Sequence, residues 1–198
     1  MKIYRLAPIL LVSIILSYAC DARENKYQHE NRVFWNCKND SGCEIYAITK
    51  DKKKILILKD YPQEPKILWH GNRLAEIRLS CGSPCYNSIF FDLNTDQVSN
   101  PIEFVLATDA QRGLAAKADI SDIKVMKIFD TQKYLSIKKD FSPAAALVSV
   151  IEEARFTRKG DLFLRYSSGK DYDTKEVTIM IDEKTFPVLR ENMLPNEQ

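Results

Sequence analysis

Thirteen short runs of β-branched and aromatic residues punctuate this chain between residues 32 and 181, each bounded by turn-forming residues. They are residues 32–37, 44–49, 54–58, 66–69, 74–80, 88–93, 103–108, 114–118, 123–129, 134–138, 152–157, 161–166 and 176–181. Runs of this length, roughly ten residues apart, read as strands of an antiparallel meander, because parallel strands need longer crossovers. Period-2 alternation is plain in Ile123-Lys124-Val125-Met126-Lys127-Ile128 and in Ile55-Leu56-Ile57-Leu58-Lys59. Arg158-Lys159-Gly160-Asp161 supplies a hairpin turn with Gly available for positive φ. Ser142-Pro143 opens the one helix candidate, with Ser as cap and Pro at the first helical position. Residues 144–153 would carry about two turns.

The strand phrases repeat loosely. Ile45-Tyr46-Ala47-Ile48 returns as Ile89-Phe90-Phe91-Asp92-Leu93, as Val125-Met126-Lys127-Ile128-Phe129-Asp130 and as Val177-Thr178-Ile179-Met180-Ile181-Asp182. Upstream of the last three lie Gly71-Asn72-Arg73-Leu74-Ala75, Gln111-Arg112-Gly113-Leu114-Ala115 and Arg158-Lys159-Gly160-Asp161-Leu162. This grammar over residues 43–183 resembles β-propeller blades. The expected fold is mainly β: an antiparallel meander, small or incomplete and propeller-like. A β-sandwich is the alternative, and one short helix is expected near 143–153.

The first twenty residues set the address. Lys2 and Arg5 precede an apolar run over residues 6–16, and small residues stand at Ser17 and Ala19. The run is shorter than the roughly 20 residues a bilayer-spanning helix needs, so it reads as an export signal. Cys20 lies directly at the cut. The segment resembles a bacterial lipoprotein signal, in which the Cys after cleavage receives lipid. Ser17 stands where such signals usually carry Leu, and Tyr18 is bulky for its place. Cleavage after Ala19 without lipid is the alternative and leaves a soluble periplasmic or secreted protein. The resemblance implies a signal peptide over 1–19, a lipidated Cys20 and a bacterial envelope location. Residues 20–31, continuing as Asp21-Ala22-Arg23-Glu24-Asn25, lack an apolar face and read as a flexible tether. A single β domain is expected over 32–190, followed by a polar tail over 191–198.

Five cysteines are present, and four form two close pairs: Cys37 with Cys43, and Cys81 with Cys85. Cys20 is left over, as lipidation would require. Outside the cytoplasm the four read as disulfides. Two local bridges are expected, and cross-pairing of the segments is the alternative. A four-Cys zinc site would need tighter knuckles, and no C-x-x-C redox motif occurs. No metal and no cofactor are expected.

The chain carries 29 basic and 27 acidic residues, and Lys2 and Arg5 account for the whole excess. The exported part is therefore neutral and has no Lys/Arg stripe, which argues against a nucleic-acid partner. Residues 50–54, Lys-Asp-Lys-Lys-Lys, read as a solvated turn.

No nucleophile elbow, zinc-protease motif, phosphate loop or dinucleotide fingerprint appears. Only His29 and His70 exist; the first falls in the tether and the second at a strand end. Asp92, Asp96, Asp109, Asp119 and Asp122 cluster near turns, where Asp caps local backbone groups. Asp92-Leu93-Asn94-Thr95-Asp96 lacks the Gly and distal Glu of a calcium loop. No catalytic residue is assigned.

Ser168-Gly169-Lys170-Asp171-Tyr172 resembles a short motif of periplasmic inhibitors of c-type lysozyme, although the companion Trp-x-Lys-Gly phrase and closing Cys are absent. The alternative is a turn between Tyr166 and Val177. The candidate binding surface is the Gly82-Ser83-Pro84 tip closed by Cys81 and Cys85, with Tyr86 and Phe90 as aromatic neighbours. The functional expectation is a membrane-tethered, non-catalytic envelope protein that binds another protein as an inhibitor or immunity-type factor. The alternatives are a structural or assembly lipoprotein and a hydrolase with a nonstandard site.

Overall fold

The computed structural model describes residues 32–38, 42–83, 85–144, 146–182 and 184. Residues 1–31, with the expected export signal, Cys20 and the expected tether with His29, lie outside them, as do Pro84 and the expected polar tail. The described residues are all-β, in four antiparallel sheets that follow one another along the chain and do not close into a barrel. Two compact units result, one ending at Glu64 and the other beginning at Pro65.

The first unit is a three-stranded meander of β1 (Val33–Lys38), β2 (Gly42–Ile48) and β3 (Lys54–Tyr61). Alternation in β2 buries Cys43, Ile45 and Ala47 on one face. On the other face Tyr46 stacks on Phe34, with ring centroids 5.5 Å apart and the Lys54 ammonium 3.5 Å from the Tyr46 centroid. Cys37 and Cys43 stand directly opposite in register and form a disulfide. Gly42 beside them has φ +74°, and a Cβ there would lie 2.6 Å from the Tyr61 carbonyl oxygen, so only glycine fits.

The second unit contains three meanders. The second sheet holds β4 (Lys66–His70), β5 (Leu74–Ser80), β6 (Tyr86–Asp92) and β7 (Ile102–Glu103). The third holds β8 (Val105–Asp109), β9 (Leu114–Ala118), β10 (Ile123–Lys127) and β11 (Asp130–Ile137). The fourth holds β12 (Ile151–Phe156), β13 (Leu162–Ser168) and β14 (Asp173–Ile179).

The run at 103–108, expected as one strand, is divided between two sheets. Phe104 has φ +51°, which turns the chain from β7 into β8. Its N–H donates to the Tyr86 carbonyl of the second sheet, and its carbonyl accepts from the Ala118 N–H of the third. Those bonds, and an edge contact with the Tyr86 ring, offset the cost of a left-handed aromatic residue, about 1 kcal/mol.

Between the second and third sheets, Leu74, Phe90, Ile102, Val105, Ala115, Met126 and Ile128 form one apolar cluster. Between the third and fourth, Leu114, Ala116, Ile123, Val125, Leu162, Leu164 and Tyr166 belong to another. The repeated phrases acquire a shared geometry here. The Leu93 N–H donates to the Arg73 carbonyl and the Ile128 N–H to the Gly113 carbonyl, while Leu74, Leu114 and Leu162 are each fully buried at a strand start. Guanidinium groups tie these turns together. Arg73 bonds Asp92 and the carbonyls of Ala110 and Gln111, and Arg112 bonds Asp109 and the carbonyls of Gly160 and Ile181.

The expected helix near 143–153 is corrected. A single 3₁₀ turn, Leu147–Val150, leads directly into β12. Val148 and Val150 lose χ1 freedom in an α-helix, and from Ile151 onward the chain pairs with β13.

Candidate functional site

The β5–β6 hairpin ends in the second disulfide, Cys81–Cys85, with Cα atoms 5.1 Å apart, so the two bridges are local and not crossed. The Cys81 N–H also donates to the Cys85 carbonyl. Cys81, Gly82 and Ser83 are exposed, and Gly82 has φ +111°, a conformation for which glycine is suited. The expected tip is therefore presented at the end of a hairpin. Its aromatic neighbours behave differently. Tyr86 is half-buried: its hydroxyl donates to the Val105 carbonyl, and the Arg78 guanidinium lies 4.6 Å from its ring centroid. Burial raises its pKa above the ordinary phenol value. Phe90 must be removed from the surface. It is fully buried, as is Phe91, because residues on both faces of β6 are covered.

Beneath Tyr86 lies a group that sequence reading passed over. Glu76, in the middle of β5, is fully buried and surrounded by donors. Arg78 Nε and Nη2 donate to Oε1 at 3.0 and 2.8 Å, and Ser88 Oγ donates to the same oxygen at 2.6 Å. His70 Nε2 meets Oε2 at 2.7 Å. Burial alone would raise the pKa of Glu76, but the hydrogen bonds from His70 and Ser88 and the Arg78 charge outweigh it and leave a depressed value. The carboxylate is thus held ionised. A hydrolytic triad places the imidazole between serine and acid, so that it can take the serine proton. Here the carboxylate lies between Ser88 and His70, and Ser88 bonds Glu76 instead of the ring. This geometry fixes a charge in the sheet and does not activate a serine.

A cavity of about 420 Å³ is lined by residues of the second and third sheets and adjoins their shared apolar cluster at Ile102 and Met126. Asn87, Pro101, Ile102 and Glu103 line one side; Lys117, Lys124, Met126, Thr131 and Tyr134 line the other. Lys117 and Lys124 are register partners on β9 and β10. The Lys124 ammonium bonds the Asp119 carboxylate and lies 4.7 Å from the Tyr134 centroid. That hydrogen bond raises the Lys124 pKa and lowers that of Asp119.

Ser168-Gly169-Lys170-Asp171-Tyr172 forms the β13–β14 turn. Ser168 is buried, its hydroxyl donates to Asp140 Oδ2, and the Tyr172 hydroxyl donates to the Pro143 carbonyl. Asp140 also accepts from Tyr166 and Lys175, and the Lys175, Ser168 and Tyr166 bonds hold its pKa well below the ordinary carboxylate range. The serine of this phrase is thus committed inward. Asp92 accepts from Arg73 and from the Asn94 and Thr95 N–H groups, the turn-capping role expected of it. Lys50 to Lys53 form the β2–β3 turn, closed by the Thr49 N–H on the Lys53 carbonyl. Among the described residues no group of three His, Cys, Asp or Glu side chains is placed to hold a metal. No protein-family model, curated protein or solved structure matches the chain.

Proposed function

We propose that this protein is a non-catalytic binding protein of the bacterial envelope, tethered through lipid on Cys20, that engages another protein as an inhibitor or immunity-type factor. The observation that carries the reading is the exposed Gly82-Ser83 tip, cross-linked at its base and mounted on a hairpin whose inner residues are locked. A pre-ordered tip loses less conformational entropy on docking than an open loop. The disulfides point to an oxidising, extracytoplasmic compartment. Among the described residues no helix is long and apolar enough to cross a membrane. The Glu76 cluster supports binding over hydrolysis, since its serine bonds the carboxylate.

The test is capture of a stoichiometric partner from envelope extract by the mature chain, compared with a Ser83→Arg variant. Loss of capture with unchanged melting supports the tip as the contact. Equal capture by the variant overturns that assignment. Separately, Cys20→Ser is expected to release the protein from membranes, and unchanged fractionation would remove the lipid tether.

A further inference from the structure

Several charged groups in the second unit are matched in pairs. Arg73 pairs with Asp92, Arg78 with Glu76, Arg112 with Asp109, and Lys124 with Asp119. The half-buried Asn87 and Lys117 and the exposed Glu103 make no side-chain hydrogen bond or ion pair among the described residues, and all three line the 420 Å³ cavity. We infer that this cavity binds a small zwitterion, an amino acid or short peptide with a free amine and a free carboxylate.

The sequence builds the site by changing what one sheet face carries along its length. On β9 and β10, Ala115 and Met126 face the second sheet and belong to the apolar cluster. Two residues further along each strand, the same face carries Lys117 and Lys124. Like charges directly opposite on neighbouring strands repel. Asp119 forms its salt bridge with Lys124 and acts on Lys117 only through its charge, which leaves the Lys117 ammonium without a direct partner. On the facing side β7 contributes Glu103, with Asn87 as its register partner on β6. Ile102 and Met126, both buried, add apolar surface to the cavity wall.

A ligand carboxylate at Lys117 relieves the lysine repulsion, and a ligand ammonium at Glu103 gives that carboxylate a partner. Each pole also rejects the wrong ligand. A simple anion meets Glu103, and a polycation meets two lysines. The volume lies in the range of about 300–1,000 Å³ common to small-molecule sites and excludes a folded partner. This site is separate from the tip assigned to protein contact.

The experiment is calorimetric titration of the full mature chain with alanyl-alanine, N-acetyl-alanyl-alanine, alanyl-alanine amide, inorganic phosphate and spermidine. Saturable binding of the free dipeptide is expected, weakened about tenfold or more by either blocking group. Glu103→Gln should abolish the sensitivity to acetylation, and Lys117→Met the sensitivity to amidation. The inference is overturned by no saturable binding of the free dipeptide up to about 10 mM. It is equally overturned by phosphate or spermidine binding as well as the dipeptide. The blocked peptides on the unaltered protein keep the test decisive should a variant fold poorly.

Discussion

Two carboxylate–arginine clusters in the second unit use the same chemistry in opposite surroundings. On β13, Arg165 bonds Glu176 at 2.7 Å and Glu153 at 3.1 Å, its register partners on the flanking strands. Arg155 bonds Glu153 and lies over Phe163. These side chains are 36–55% exposed. On β5, Glu76 has no exposure at all. The sheets explain the difference. β13 alternates cleanly, burying Leu162, Leu164, Tyr166 and Ser168 and turning Phe163, Arg165 and Ser167 to the other face. In β5 the residues of both faces are buried from Leu74 to Ile77, so a charge has no outward side to take. Water attenuates the first cluster, and the second depends wholly on its partners.

The largest effect is expected at Glu76. Glu76→Ala leaves His70, Arg78 and Ser88 facing a cavity without an acceptor. A loss of about 3 kcal/mol follows from breaking a buried pair, or roughly 10 °C in melting midpoint for a unit of this size. Glu76→Gln keeps the shape and some hydrogen bonds, and about half that loss is expected. Acid should erase the gap between Glu76→Gln and the unaltered protein. The folded pKa lies below the ordinary 4.5, so the charge contributes fully above that pH and its contribution fades as pH falls through the lower folded value. Denaturant midpoints from pH 7 to pH 2 check this, and a gap unchanged across the range would mean that Glu76 is not held ionised.

Arg78→Lys is expected to cost less, about 1 kcal/mol. Lysine keeps the charge beside Glu76 but gives up the two-nitrogen contact and the stacking on Tyr86. A loss matching that of Glu76→Ala would assign the cluster's contribution to the guanidinium geometry and not to the buried acid.

The same contrast decides how much could be read from the chain. Strands 74–80 and 114–118 were legible to the residue, since turn residues fence them on both sides. Spacing favoured the two local disulfides over cross-pairing, and the structure decides for them. The helix at 143–153 was misread because Ser142-Pro143 is a strong start signal, while only a single 3₁₀ turn, Leu147–Val150, separates it from the strand that was read at 152–157. The break at Phe104 was missed because nothing about a lone Phe announces a positive φ. Adjacent Phe90 and Phe91 point to opposite faces of β6, but alternation cannot tell whether both faces are covered. Glu76 was lost for the same reason, as a Glu between Ala75 and Ile77 reads as the solvent face of a half-buried strand. The one available signal was Glu76 and Arg78 sharing a face with Leu74.

The smallest effect is expected on the exposed ladder, and it is the sharpest check on the comparison. Glu176→Ala removes one of Arg165's two partners and leaves Glu153 in place. The Nε face of the guanidinium returns to water and Arg165 regains some rotamer freedom, so the gain and the loss nearly cancel. No resolvable change in melting midpoint is expected at moderate salt, and raising the salt should alter both proteins alike. A drop comparable to that of Arg78→Lys would show that exposure does not separate the clusters. The distinction would then rest on the number of partners around each carboxylate, three at Glu76 against two at Glu153.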